Sequence, residues 1–146
     1  MLRAILISLC LAGAARADGG YQTARGLAQI LPEPGSDGAR LDLVIGGEIV
    51  VLGWGAAPAQ LWIEAQRDAL LLIGSSNDAA CPAVFRWVTV EDSGFAVSDT
   101  FGTCAKGPQI RVGSLGVTVR LAGWQGTPQQ DFFYDGVRIT ATPVGQ

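Results

Sequence analysis

The chain has 146 residues, with 10 basic and 13 acidic side chains, three cysteines, 20 glycines and no histidine. The lack of imidazole excludes a histidine general base, a Ser-His-Asp triad and the usual zinc or haem ligation. A net charge of −3 disfavours nucleic acid and anionic membranes, because both recruit clustered Lys and Arg.

Met1 to Ala17 carries Arg3, an apolar run from Ala4 to Ala12, and Ala15-Arg16-Ala17, which supplies small residues at both positions that determine cleavage. This is the pattern of a secretory signal peptide cut after Ala17. The apolar run falls well short of the roughly 20 residues that cross a bilayer, so no transmembrane segment is expected after signal cleavage. Cys10 sits inside that run behind bulky Leu9, which argues against lipid attachment. Cleavage removes 17 of 146 residues and leaves 129, one domain's worth of chain. It also removes Arg3 and Arg16, so 8 basic residues face 13 acidic ones, a net charge of −5. The expected location is periplasmic or secreted.

Residues 18–40 read as a loop-rich N-terminal segment, with Pro32-Glu33-Pro34-Gly35-Ser36-Asp37-Gly38 a loop. Tyr21 to Ile30 is compatible with a short strand or a turn of helix. A single β domain is expected over residues 41–146. Leu41 to Ile45 and Glu48 to Leu52 flank Gly46-Gly47, a hairpin signal because primed turns need positive φ. Leu61 to Gln66 and Ala69 to Gly74 form a second hairpin turning at Arg67-Asp68, against a competing helix over Ala56 to Leu72 suggested by its Ala, Gln and Glu content. The run Leu70 to Ile73 is apolar without alternation, as expected of a strand covered on both faces.

Val84 to Val90 puts Val84, Arg86, Val88 and Val90 on one face and Phe85, Trp87 and Thr89 on the other. Arg86 must therefore be paired, lie over a rim or lie outside the core, because a buried unpaired arginine is very costly. Glu91-Asp92-Ser93-Gly94 turns the chain back. Ile110 to Val112 and Val117 to Leu121 form another hairpin, with Val117, Val119 and Leu121 inward and Thr118 and Arg120 outward. Phe132-Phe133-Tyr134 and Val137 to Thr140 close the domain around an Asp135-Gly136 turn.

Two cysteines outlast the signal, Cys81 and Cys104, and in an oxidising compartment they most simply form one structural disulfide. A metal site is disfavoured by the absence of histidine, and a redox pair would use closer spacing. Leu52 to Trp62 and Ala122 to Phe132 share Gly-Trp followed by Pro-x-Gln-x-aromatic at an offset of 70. Together these features predict an all-β fold, an antiparallel sandwich or flattened barrel with one disulfide, and the Gly-Trp match reads either as an internal pseudo-repeat joined by the cysteine-bounded hairpin or as convergent Gly and Pro loop chemistry.

Chemistry has few footholds. Glu48, Glu64, Glu91, Asp92, Asp99, Asp131 and Asp135 are the acids available to a carboxylate-pair glycoside hydrolase, and nothing in their spacing sets two of them apart. There is no phosphate-binding glycine motif and no calcium-loop spacing, so no cofactor and no metal are expected. Trp54 and Trp124 stand in Gly-flanked loops with Tyr134 near the second. Such aromatics suit a sugar or peptide surface, or fold back to plug the core.

The run Cys81-Pro82-Ala83-Val84-Phe85-Arg86-Trp87-Val88-Thr89-Val90, followed by Phe101-Gly102-Thr103-Cys104, resembles a group of small exported proteobacterial proteins that share these two motifs. The resemblance covers only this central part. It implies a bacterial, envelope-side location and brings no activity with it. The functional expectation is a non-enzymatic exported domain that binds another macromolecule, a protein or glycan of the cell envelope. The alternatives are a carbohydrate-binding module or glycoside hydrolase using Trp54, Trp124 and Tyr134, and a structural accessory subunit of an envelope complex.

Overall fold

A computed structural model describes residues 20–55, 60–64, 67–75 and 80–145. The segment from Met1 to Ala17 read as a signal peptide lies outside the described residues, as do positions 56–59 of the Gly-Trp pattern. The described residues form twelve strands and no helix, in three antiparallel four-stranded sheets that each run as a meander. Sheet I holds β1 (Tyr21–Thr23), β2 (Gly26–Pro32), β3 (Leu41–Ile45) and β4 (Glu48–Trp54). Sheet II holds β5 (Gln60–Glu64), β6 (Arg67–Gly74), β7 (Val84–Glu91) and β8 (Gly94–Val97). Sheet III holds β9 (Gln109–Gly113), β10 (Gly116–Leu121), β11 (Gln130–Tyr134) and β12 (Ile139–Pro143). The sheets do not close on one another, so the architecture is sandwich-like rather than a barrel.

The sheets stack in the order I, II, III, and the alternation of β6 and β7 explains why. One face of sheet II sends Leu70, Leu72, Val88 and Val90 against Ala28, Leu43, Ile45 and Val51 of sheet I. The other sends Ala69, Leu71, Phe85 and Trp87 against Val117, Val119, Leu121, Phe132 and Tyr134 of sheet III. The uninterrupted apolar run of β6 is thus a strand covered on both sides. Over the described residues 60–64 and 67–72 the helix suggested for Ala56 to Leu72 gives way to β5 and β6, and in β6 burial on two faces outweighs intrinsic propensity.

β1 and β2 lie in the segment that reads as loop-rich and complete sheet I. Their turn is tight: the Thr23 hydroxyl donates to the Gly26 carbonyl at 2.7 Å and accepts from the Arg25 amide at 3.2 Å. The Gly46-Gly47 turn takes φ of 59° and 89°, the positive values a two-residue hairpin requires. A Cβ on Gly46 would sit 2.2 Å from the Arg25 carbonyl oxygen, so close backbone approach also demands glycine there. The Asp135-Gly136 turn is wider than a two-residue loop. Tyr134 pairs with Ile139, and the Asp135 carboxylate accepts from the amides of Val137 and Arg138 at 2.8 and 2.7 Å, which holds four residues in the bend.

Cys81 and Cys104 are bonded, with their Cα atoms 4.6 Å apart. The bridge ties the connection before β7 to the segment between β8 and β9. That segment also lays Phe101 against both Phe85 and Phe132, at centroid distances of 5.7 and 5.1 Å. Its Thr103 hydroxyl donates to the Ala122 carbonyl at 2.6 Å. The Gly-Trp pattern does not mark two equivalent halves. Trp54 ends β4 of sheet I, whereas Trp124 lies between β10 and β11 of one sheet. What recurs in the structure is the four-strand meander, three times.

Candidate binding surfaces

The three aromatics singled out by sequence do not converge. Tyr134 is inside the core, 3% exposed, its ring stacked on Trp87. Its period-two position, on the same face as buried Phe132, accounts for this. Trp54 is half-buried, packed on the core between sheets I and II, with the Arg86 guanidinium 5.4 Å from its ring centroid. Arg86 thus sits over an aromatic face at the rim, and its buried Nε has no hydrogen-bond partner among the described residues. The space beneath Trp54, lined by Ile30, Leu43, Val51 and Leu72, amounts to about 20 Å³, room for one water and not for a ligand. Trp124 is half-buried and donates its indole N–H to the Ala80 carbonyl at 2.8 Å, next to the disulfide.

Of the candidate acids, Asp131 and Asp135 are engaged structurally, as is Asp42. Asp131 receives two hydrogen bonds from Arg120, at 2.6 and 2.7 Å, and a longer contact from Arg111 at 3.4 Å. The Arg120 hydrogen bonds hold the Asp131 carboxyl below its ordinary range, against a smaller opposing effect of burial. Asp135 is likewise held low, by the amides of Arg138 and Val137. Asp42 is buried and accepts from the Gly53 amide at 2.8 Å. The side chain of Glu64 lies outside the described ones. Among the described residues, no three His, Cys, Asp or Glu side chains gather where they could hold a metal ion, and no helix is long and apolar enough to cross a membrane.

The feature that the aromatic reading misses is the outer face of sheet I. Ala28, Ile30, Leu43 and Val51 face inward, so the intervening residues Leu27, Gln29, Leu31 and Val44 face outward. Across the strands, Gln29, Val44 and Ile49 stand in one row, and Leu31 stands opposite Asp42. Between the pairs Leu41–Trp54 and Leu43–Val51, β4 has two residues, Leu52 and Gly53, against the single Asp42 of β3. This bulge lets the Asp42 carboxylate cap the free Gly53 amide. Leu27, Leu31, Ile49 and Leu52 remain 39%, 41%, 54% and 68% exposed. Half of the exposed large hydrophobic side chains of the described residues therefore lie on this one face.

A signal for it exists in the sequence. Ile49-Val50-Val51-Leu52 is apolar without alternation, the same pattern as Leu70 to Ile73. In β6 that pattern reflects two covering sheets. In β4 only one face is covered by a second sheet among the described residues.

The outer face of sheet III is its chemical opposite. Its rows are Arg111, Thr118, Phe133 and Thr140, then Gln109, Arg120, Asp131 and Thr142. Only Phe133 is apolar. No protein-family model, curated protein sequence or solved structure matches the chain.

Proposed function

We propose that the protein is an exported, non-enzymatic β domain that binds another macromolecule of the bacterial envelope, and that the outer face of sheet I is its binding surface. The observation that carries this reading is the exposure of Leu27, Leu31, Ile49 and Leu52 on one continuous sheet face. Large apolar side chains gathered on one exposed sheet face mark an interaction site. The run Ile49 to Leu52 adds weight, because it is composed as a strand with cover on both sides. An accessory subunit of an envelope complex would use the same face, so the two ideas describe one docking surface. The apolar N-terminal run and the Cys81–Cys104 disulfide support export.

The carbohydrate reading has less support, because Tyr134 is buried and Trp54 and Trp124 spend their rings or N–H groups on contacts within the fold. The test is retention of envelope components on the immobilised protein, compared with a Leu52→Asp variant and with Thr140→Asp on sheet III. A component retained by the native chain and by Thr140→Asp but lost with Leu52→Asp supports the reading. Retention indifferent to Leu52 refutes it.

A further inference from the structure

We infer that a hollow on the outer face of sheet III, beside the β9–β10 turn, binds a hexuronate-type sugar acid, a pyranose ring that carries a carboxylate. The site is separate from the docking face of sheet I and uses none of Trp54, Trp124 and Tyr134. The hollow lies between Arg111, Gly113, Gly116, Thr118, Asp131 and Phe133 and measures about 410 Å³, which is within the size range of small-molecule sites.

Strand register makes the hollow. Gly113 stands opposite Gly116, next to the row of Arg111, Thr118 and Phe133. Two facing glycines leave their own row without side chains. Phe133, the one apolar residue on this polar face, leans its ring into the gap: a Cβ on Gly116 would sit 2.9 Å from the ring Cζ. The ring therefore lies along β10, away from Thr140 on β12, and gives the hollow an aromatic wall suited to the C–H face of a pyranose.

The charge comes from a shared carboxylate. Arg120 binds Asp131 through two nitrogens at 2.6 and 2.7 Å, whereas Arg111 reaches it only at 3.4 Å with its side chain 62% exposed. Two guanidiniums thus face one acid, and Arg111 keeps its planar fork of donors for a second carboxylate. On a chain whose acids outnumber its bases 13 to 10, this is a local excess of positive charge. Ser114 and Thr118 line the remaining wall. An aromatic acid would take water from their hydroxyls and return no hydrogen bond, whereas the hydroxyls of a sugar pair with them.

The experiment is isothermal titration calorimetry of the full chain with glucuronate and with galacturonate, up to ~20 mM to reach weak sites. The expected result is saturable one-to-one binding of at least one of them. Glucose, a ring without the carboxylate, and acetate, a carboxylate without the ring, should bind at least ~10-fold more weakly. Arg111→Gln and Gly113→Val should each weaken uronate binding at least ~10-fold, with circular dichroism and thermal midpoint unchanged. Gly113→Val fills the hollow and the backbone accepts it, because a Cβ there meets only the Gly116 carbonyl oxygen, at 3.5 Å. If Phe133 serves only to cover Gly116, this variant changes nothing. Leu52→Asp should bind uronate like the native chain, which separates this site from the docking face. Neither uronate binding, binding no tighter than that of glucose or acetate, or binding unchanged in Arg111→Gln or in Gly113→Val overturns the inference.

Discussion

Trp87 of β7 and Tyr134 of β11 stack across the boundary of sheets II and III, their ring centroids 5.0 Å apart and their planes 8° from parallel. The Tyr134 hydroxyl also pairs with the buried Thr89 hydroxyl and donates to the Gly136 carbonyl at 2.9 Å. One side chain thus joins the middle sheet to the turn after β11. The stacking geometry is one that aromatic pairs favour, and it is available only because both rings occupy inward positions of their strands.

Tyr134→Phe should keep the stack and remove the hydroxyl, leaving buried Thr89 without its partner. The expected loss in urea unfolding is about 1–2 kcal/mol, and Thr89→Val in the same chain should restore part of it, because removing both polar partners costs less than removing one. Equal or additive losses in the double variant would contradict the pairing.

Arg86→Met should leave stability within about 1 kcal/mol of the native value or raise it, because the buried Nε has no partner among the described residues and the methionine stem can still cover Trp54. Trp54→Ala should cost at least ~2 kcal/mol through lost packing. Chemical denaturation decides. A large loss for Arg86→Met would mean that the guanidinium holds the rim together by more than its stack on the indole.

Asp131 supplies a pH test with a defined sign. Its folded-state carboxyl is held below the usual range, chiefly by the Arg120 hydrogen bonds. The unfolded chain therefore takes up the proton first as pH falls. The stabilisation is complete above the unfolded carboxylate value of about 4 and is lost as pH drops through the lower folded value. Asp131→Asn should be less stable than the native chain at neutral pH, and the gap should narrow in acid. Stability curves that run parallel from neutral pH to pH ~2 would contradict this assignment.

Removing the disulfide by Cys81→Ser with Cys104→Ser should lower stability by roughly 3 kcal/mol, the chain-entropy value for a loop of this length. Binding through Leu52 and Ile49 should survive in the folded fraction, because the bridge joins the flanks of sheet II, whereas Leu52 and Ile49 belong to β4 of sheet I. Lost binding in a variant with native circular dichroism would contradict that division.

Much of this fold is legible in the residues. The strict alternation of Val117, Val119 and Leu121 gives a one-sided strand, the run Leu70 to Ile73 gives a two-sided one, and the cysteine pair gives the bridge. β1 and β2 are not legible, because a three-residue strand and a strand bounded by Gly26 and Pro32 with apolar residues on both faces lack a periodic signature, and only pairing with β3 makes a sheet of them. Tyr134 reads as a loop-side aromatic until the period-two rule is carried along β11 from Phe132. The outer face of sheet I was written in Ile49 to Leu52, but an apolar run does not say which neighbour covers its second side. That requires knowing that the chain folds back over β6 on both faces and over β4 on one.

The central claim is that the outer face of sheet I is a docking surface, and site-specific photo-crosslinking in the producing cell tests it most directly. A photoreactive side chain in place of Ile49 should give a light-dependent adduct with another envelope component, and the same group in place of Thr140 should give none. No adduct from position 49, or equal adducts from both positions, would contradict the account.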